Sequence, residues 1–157
     1  RSCSLIKITD TLWLSGAVNV GEVLTASIGG ILNVAQDLNS VVCWPIVEYA
    51  HVGLIDGPGN ETCDYYAAIM ALKMLVRRCK KVLVYDHEGA RALVVILMYL
   101  NLKEGQIRPS PTAWGHWPLW DERLKLVQGK ARVELPEPHS AHIEMFNKIP
   151  WGLIAVV

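Results

Sequence analysis

The stretch that most constrains the chain runs from Lys80 to Leu100, Lys-Lys-Val-Leu-Val-Tyr-Asp-His-Glu-Gly-Ala-Arg-Ala-Leu-Val-Val-Ile-Leu-Met-Tyr-Leu. Val82 to Val84 is a short apolar run after two lysines, as in a strand buried on both faces. Residues 91–102 are apolar almost all round and hold no Gly or Pro, which predicts a central helix. Only a few small or polar residues lie between. A strand that turns sharply into a helix aims several backbone N–H groups and the positive end of the helix dipole at one spot, which makes an anion cradle.

This stretch resembles the signature of the cysteine-dependent dual-specificity and protein tyrosine phosphatases: strand, His-Cys, five residues, Arg, Ser/Thr, helix. The resemblance implies a thiolate nucleophile, loop amides and an Arg fork that hold phosphate oxygens, and an Asp from another loop as general acid. Aligned on the strand, on His87-Glu88-Gly89 and on the helix, Tyr85 takes the family's His place and Asp86 its Cys place. Ala92 takes the Ser/Thr place. Arg91 matches the phosphate-binding Arg once one residue is deleted, because only His87, Glu88, Gly89 and Ala90 separate it from Asp86. An ungapped count back from Arg91 puts Tyr85 at the nucleophile place. Neither alignment supplies a cysteine.

Aspartate is a hard, weakly nucleophilic anion that repels phosphate. Two unit charges about 4 Å apart at an effective dielectric near 20 cost roughly 4 kcal/mol. The shortened loop also displaces the amide ring, and near-attack geometry tolerates errors of only about 1 Å. The backbone donors persist without the cysteine, so the carboxylate of Asp86 or of Glu88 is expected in the phosphate position, paired with Arg91.

The rest of the chain fits that frame. At 157 residues it is long enough for one domain with a real core. An apolar share of 52% and a mean hydropathy of +0.26 fit a sheet covered on both faces. No run reaches the roughly 18 apolar residues of a membrane span. Fifteen basic and fifteen acidic residues cancel, which leaves no electrostatic footprint for nucleic acid and no polybasic membrane anchor. Cys3, Cys43, Cys63 and Cys79 form no CxxC and no zinc spacing. They read as reduced thiols of a cytoplasmic protein without a signal peptide. The sequon at Asn60-Glu61-Thr62 is read as chance.

Ile6 to Thr9 and Leu12 to Gly16 predict a strand hairpin, similar to the opening of small dual-specificity phosphatases. Asn19 is placed to cap a helix over residues 20–28 that Gly29-Gly30 closes. Residues 31–35 and 47–54 predict two more strands, with a polar loop at 37–40 between them. Asp56 follows the second, in a turn-rich stretch, and is the only carboxylate between Glu48 and Glu61. The resemblance places the general acid there; the alternative is an Asp that bonds turn amides. Asn60 or Thr62 is expected to cap a long helix with Tyr65, Ile69, Leu72 and Val76 inward. Arg77, Arg78, Lys80 and Lys81 crowd its end, as a solvated terminus or a patch for an acidic partner.

Residues 108–112 read as a loop leading to Trp114, Trp117 and Trp120, which pack a peripheral helix or form a partner hot spot. Helices are expected over 121–128 and from His139 or Ser140 to Asn147. His116, His139 and His142 could be imagined as a metal trio, but no carboxylate or cysteine stands at ligand spacing, so no metal or cofactor is expected.

The fold class expected is therefore α/β, similar to the protein tyrosine phosphatases: a central mixed sheet with helices on both faces, in one domain over residues 1–157. The resemblance is strongest over 6–102, with a helical extension over 103–157. The site is expected at Tyr85, Asp86, His87, Glu88, Gly89, Ala90 and Arg91, with Asp56 opposite. The function expected is that of a pseudophosphatase engaging a protein or phosphoprotein. The alternatives are an active phosphatase with Asp86 as nucleophile, or an unrelated α/β enzyme using Asp86 and His87 as a base pair.

Overall fold

A computed structural model describes residues 5–18, 20–39, 47–103, 111–112, 115–116, 119–131, 134–149 and 151. Strand β1 (Ile6–Lys7) pairs antiparallel with β2 (Leu12–Ser15). Helix α1 (Val20–Thr25), β3 (Gly30–Ala35), β4 (Glu48–Leu54), α2 (Thr62–Arg78), β5 (Val82–Tyr85) and α3 (Ala90–Lys103) follow. Beyond them come β6 (Pro111–Thr112), β7 (Gly115–His116), α4 (Leu119–Ala131) and α5 (Ser140–Lys148).

The five-stranded sheet has the order β1-β2-β5-β3-β4, with β2, β5, β3 and β4 mutually parallel and β1 antiparallel at one edge. The central strand β5 explains the continuous apolar run. Val82 and Val84 face a core built with α2, α3, α4 and α5, whereas Leu83 and Tyr85 face a smaller core with Val23 and Ile28 around α1. Both faces are covered, so no polar alternation is needed. Every residue of α3 from Arg91 to Leu102 is buried, as its all-round apolar pattern requires. Among the described residues no helix is long and apolar enough to cross a membrane.

Three expectations need correction. Helix α1 stops at Thr25, before the glycines. Ser27 adopts a left-handed conformation at φ 58°, and the Ile28 and Ser27 amides donate to the Val23 and Leu24 carbonyls. That is a Schellman closure made by a serine; Gly30 instead opens β3. The cap of α2 is Glu61, in a reciprocal box with Asp64, neither Asn60 nor Thr62. Within the stretch read as a loop, Pro111–Thr112 pairs with Gly115–His116 in a two-stranded ladder.

Asn19, Cys3, Cys43, Trp114 and Trp117 lie outside the described residues. Trp120 is buried edge-on against Phe146 of α5, so it packs α4 onto the core. Cys63 is exposed and Cys79 half-buried, both as free thiols.

Candidate functional site

Strands β5, β3 and β4 all point their C-terminal ends to one edge, where ligand sites of open α/β sheets lie. From β5 the chain passes Asp86, His87, Glu88 and Gly89 and enters α3 at Ala90. Gly89 makes the turn possible. Its φ is +89°, and a Cβ there would sit 3.4 Å from the Ser15 carbonyl group. The end of β2 braces the loop from behind, with the Ala17 amide donating to the His87 carbonyl at 3.3 Å.

The cradle is filled from within. One oxygen of Asp86 accepts the Gly89 amide. The other accepts the Arg91 amide at 2.8 Å and the Arg91 Nε at 3.1 Å. Both oxygens accept, as an ionised carboxylate does. Asp86 is 2% exposed. Burial pushes its carboxyl above the usual value, against the bonds from Arg91 and Gly89 that pull it down. Glu88, the other carboxylate considered for this place, is exposed.

Arg91 is equally committed. Besides Asp86, its Nη1 donates to the Leu54 carbonyl at 2.7 Å and to Asp37 Oδ1 at 3.1 Å. It thus ties the β5 loop to the exits of β4 and β3. Asp37 joins the site from within the stretch that reads as a polar loop. Its position directly beyond a parallel strand was the available signal. His87 leans on the same residue, with Nε2 3.4 Å from Asp37 Oδ2. Desolvation works against ionisation of Asp37, but its own backbone amide, Arg91 and His87 hold the carboxyl below its usual value.

Tyr85 is buried beneath the loop, and Ala90 is half-buried at its end. Asp56 stands apart on the loop after β4, largely exposed. Its Oδ1 lies 3.9 Å from His142 Nε2. The turn-stapling role considered for Asp56 belongs to Asn60, which accepts the Ile55 amide and donates to the Ile55 carbonyl, both at 2.8 Å.

His142 of α5 is fully buried, with Nδ1 2.7 Å from the Tyr65 hydroxyl. Asn60 Nδ2 also lies 3.4 Å from that hydroxyl. Nε2 of the ring is buried with no hydrogen-bond partner among the described residues. Of the histidine trio, His142 is thus a core residue and His139 caps α5 through Nδ1; the His116 side chain lies outside the described residues. Among the described residues no three His, Cys, Asp or Glu side chains gather as a metal-binding group.

Burial lowers the His142 pKa below the ordinary 6.5; the nearby Asp56 carboxylate opposes this, and His139 and Arg91 reinforce it. The unfolded chain therefore binds the proton more readily. Stability contributed by the neutral ring is complete above about pH 6.5 and is lost as pH falls from there through the native value. Denaturant unfolding across this range is expected to show that acid-side loss in the wild type and a flatter profile in His142→Gln. Equal slopes in both would contradict it.

The chain has the fold of the dual-specificity and protein tyrosine phosphatases, as solved structures show. Human DUSP28 superposes with a TM-score of 0.70 at 21% identity, over 92% of this chain and 94% of that one. A human tyrosine phosphatase-like serine/threonine/tyrosine-interacting protein gives 0.70 at 13%, over 92% and 93%. A mouse putative dual specificity phosphatase complexed with zinc tungstate gives 0.68 at 21%, over 92% and 84%. No family model and no curated protein matches the sequence. The loop at 86–91 stands at a helix N-terminus in a phosphatase-like sheet, which removes the ground for an unrelated enzyme with Asp86 and His87 as a base pair.

Proposed function

We propose that this chain is a catalytically inactive dual-specificity phosphatase-like protein, a pseudophosphatase that works as a cytoplasmic module binding a protein or phosphoprotein. The observation that carries this reading is the Asp86 carboxylate bonded to the Gly89 amide and to the Arg91 amide and guanidinium. Those are the donors that the resemblance assigns to phosphate oxygens. An approaching phosphoester meets an anion already in place, a repulsion of roughly 4 kcal/mol at about 4 Å. It also finds the Arg91 donors shared among Asp86, Asp37 and Leu54. A phosphatase-like fold retained without its nucleophile has its surface left to act with. A structural neighbour carrying the name of an interacting protein lends that idea support.

The rival reading makes Asp86 itself the nucleophile, through an aspartyl-phosphate. It requires Asp86 to leave its three donors before attacking phosphorus. Hydrolysis of p-nitrophenyl phosphate, with and without Mg²⁺ or Mn²⁺, separates the two. The expected rate equals that of the Asp86→Ala chain under every condition. Turnover by the wild type that disappears in Asp86→Ala would establish the rival.

A further inference from the structure

The basic end of α2 carries more than a solvated terminus. From Tyr65 to Arg78 the helix holds no carboxylate, so its outer face lacks the mixed charges that usually cover a solvent-facing helix. Ala67, Met70 and Met74 occupy that face, with Met70 49% and Met74 46% exposed. The two methionines are one turn apart and adjoin Lys73, Arg77 and Arg78 around a groove of about 480 Å³. Arg78 is held by Glu48, its Nε donating at 3.0 Å. Lys73 and Arg77 have no ion-pair partner among the described residues. The result is a pliable apolar strip with free cations toward the C-terminal end of the helix.

We propose that this face of α2 docks an acidic amphipathic helix of a partner protein. The chemistry selects the occupant. Methionine adapts its shape to apolar side chains of a partner helix. Lys73 and Arg77 demand carboxylates beside those side chains, on one flank only. Orientation follows as well. The C-terminal end of α2 is the negative end of its dipole, so an antiparallel partner brings its positive N-terminal end there. Acidic residues favoured in the first turn of the partner then meet Lys73 and Arg77. The strip gives the binding-module reading a surface and rests on that reading.

The test uses a fluorescein-labelled synthetic helical peptide with leucines along one face and glutamates in its first turn and on one flank. A control peptide carries lysine at every glutamate. The acidic peptide is expected to bind the full chain, more weakly as salt rises. Met70→Glu with Met74→Glu should weaken it at least about tenfold, as should Lys73→Glu with Arg77→Glu. The lysine peptide should bind only the Lys73→Glu, Arg77→Glu chain. These side chains lie on the outer face, so thermal midpoints should hold; Met70→Ser with Met74→Ser serves if the glutamate pair fails to fold.

No binding of the acidic peptide, equal binding of the lysine peptide, or indifference to the substitutions overturns the proposal. So does a concentration-dependent dimer abolished by the methionine changes, which would assign the face to a second copy. The same samples are assayed with p-nitrophenyl phosphate. Turnover there removes the inactive-module reading whatever the peptides do, whereas failed peptide binding with no turnover removes only the α2 groove.

Discussion

Replacing Arg91 by methionine is expected to lower the unfolding free energy by about 3–5 kcal/mol, the cost of breaking a buried ion pair by removing one partner. In a domain of this size that shifts the thermal midpoint down by roughly 10 °C. Asp86 would keep two amide donors but lose its counter-charge while remaining buried. The exits of β3 and β4 would also lose the side chain that joins them, through Asp37 and the Leu54 carbonyl. A second signature separates the carboxylate's share from mere loss of packing. Asp86 has a folded pKa above the ordinary 3.8 because burial outweighs its hydrogen bonds. The native state then holds a proton that the unfolded chain has released, and stability falls as pH rises through that window. Without Arg91 the carboxyl rises further, so the deficit of Arg91→Met should shrink in acid. A deficit that is constant with pH, or one below about 1 kcal/mol, the range of an exposed pair, would mean that Asp86 and Arg91 do not depend on each other.

A cysteine in the place of Asp86 should not by itself confer phosphatase chemistry. Asp86→Cys is expected to hydrolyse p-nitrophenyl phosphate no faster than Asp86→Ala, although a thiolate at a helix N-terminus is a competent nucleophile. The family's loop places five residues between Cys and Arg; here only His87, Glu88, Gly89 and Ala90 intervene. Misplacement of about 1 Å costs on the order of a hundredfold in rate. Arg91 would still be drawn toward Asp37 and the Leu54 carbonyl. Robust turnover by the single variant would show that the short loop holds its amides well enough for catalysis.

The parts of this molecule legible in its sequence are those with local causes. The apolar run Val82 to Val84 and the uniformly apolar α3 announce a strand and helix buried on all sides, and the short link between them fixes where the amides converge. The occupation of that cradle by a carboxylate followed from charge and spacing, and Asp86 rather than Glu88 fills it. What escaped was decided by distance in the chain. Asp37 reaches Arg91 across more than fifty residues, and its place just beyond β3 does not by itself specify that partner. His142 and Tyr65 meet because α5 folds onto α2, a contact that spacing within either helix does not encode. Two glycines offer the obvious stop for α1, but Ser27 takes the left-handed conformation and ends the helix before them. The cap of α2 shifted for a related reason: Asn60 is engaged in stapling the preceding loop to Ile55.

Isothermal titration of tungstate, a phosphate-like oxyanion, into the wild type and Asp86→Ala reads directly whether the carboxylate holds the oxyanion place. No binding heat is expected from the wild type. Asp86→Ala frees the Gly89 and Arg91 donors and removes a repulsion of roughly 4 kcal/mol, so its affinity should rise at least about a hundredfold. Saturable binding by the wild type, undiminished relative to Asp86→Ala, would contradict the placement of Asp86 as the cradle's own anion.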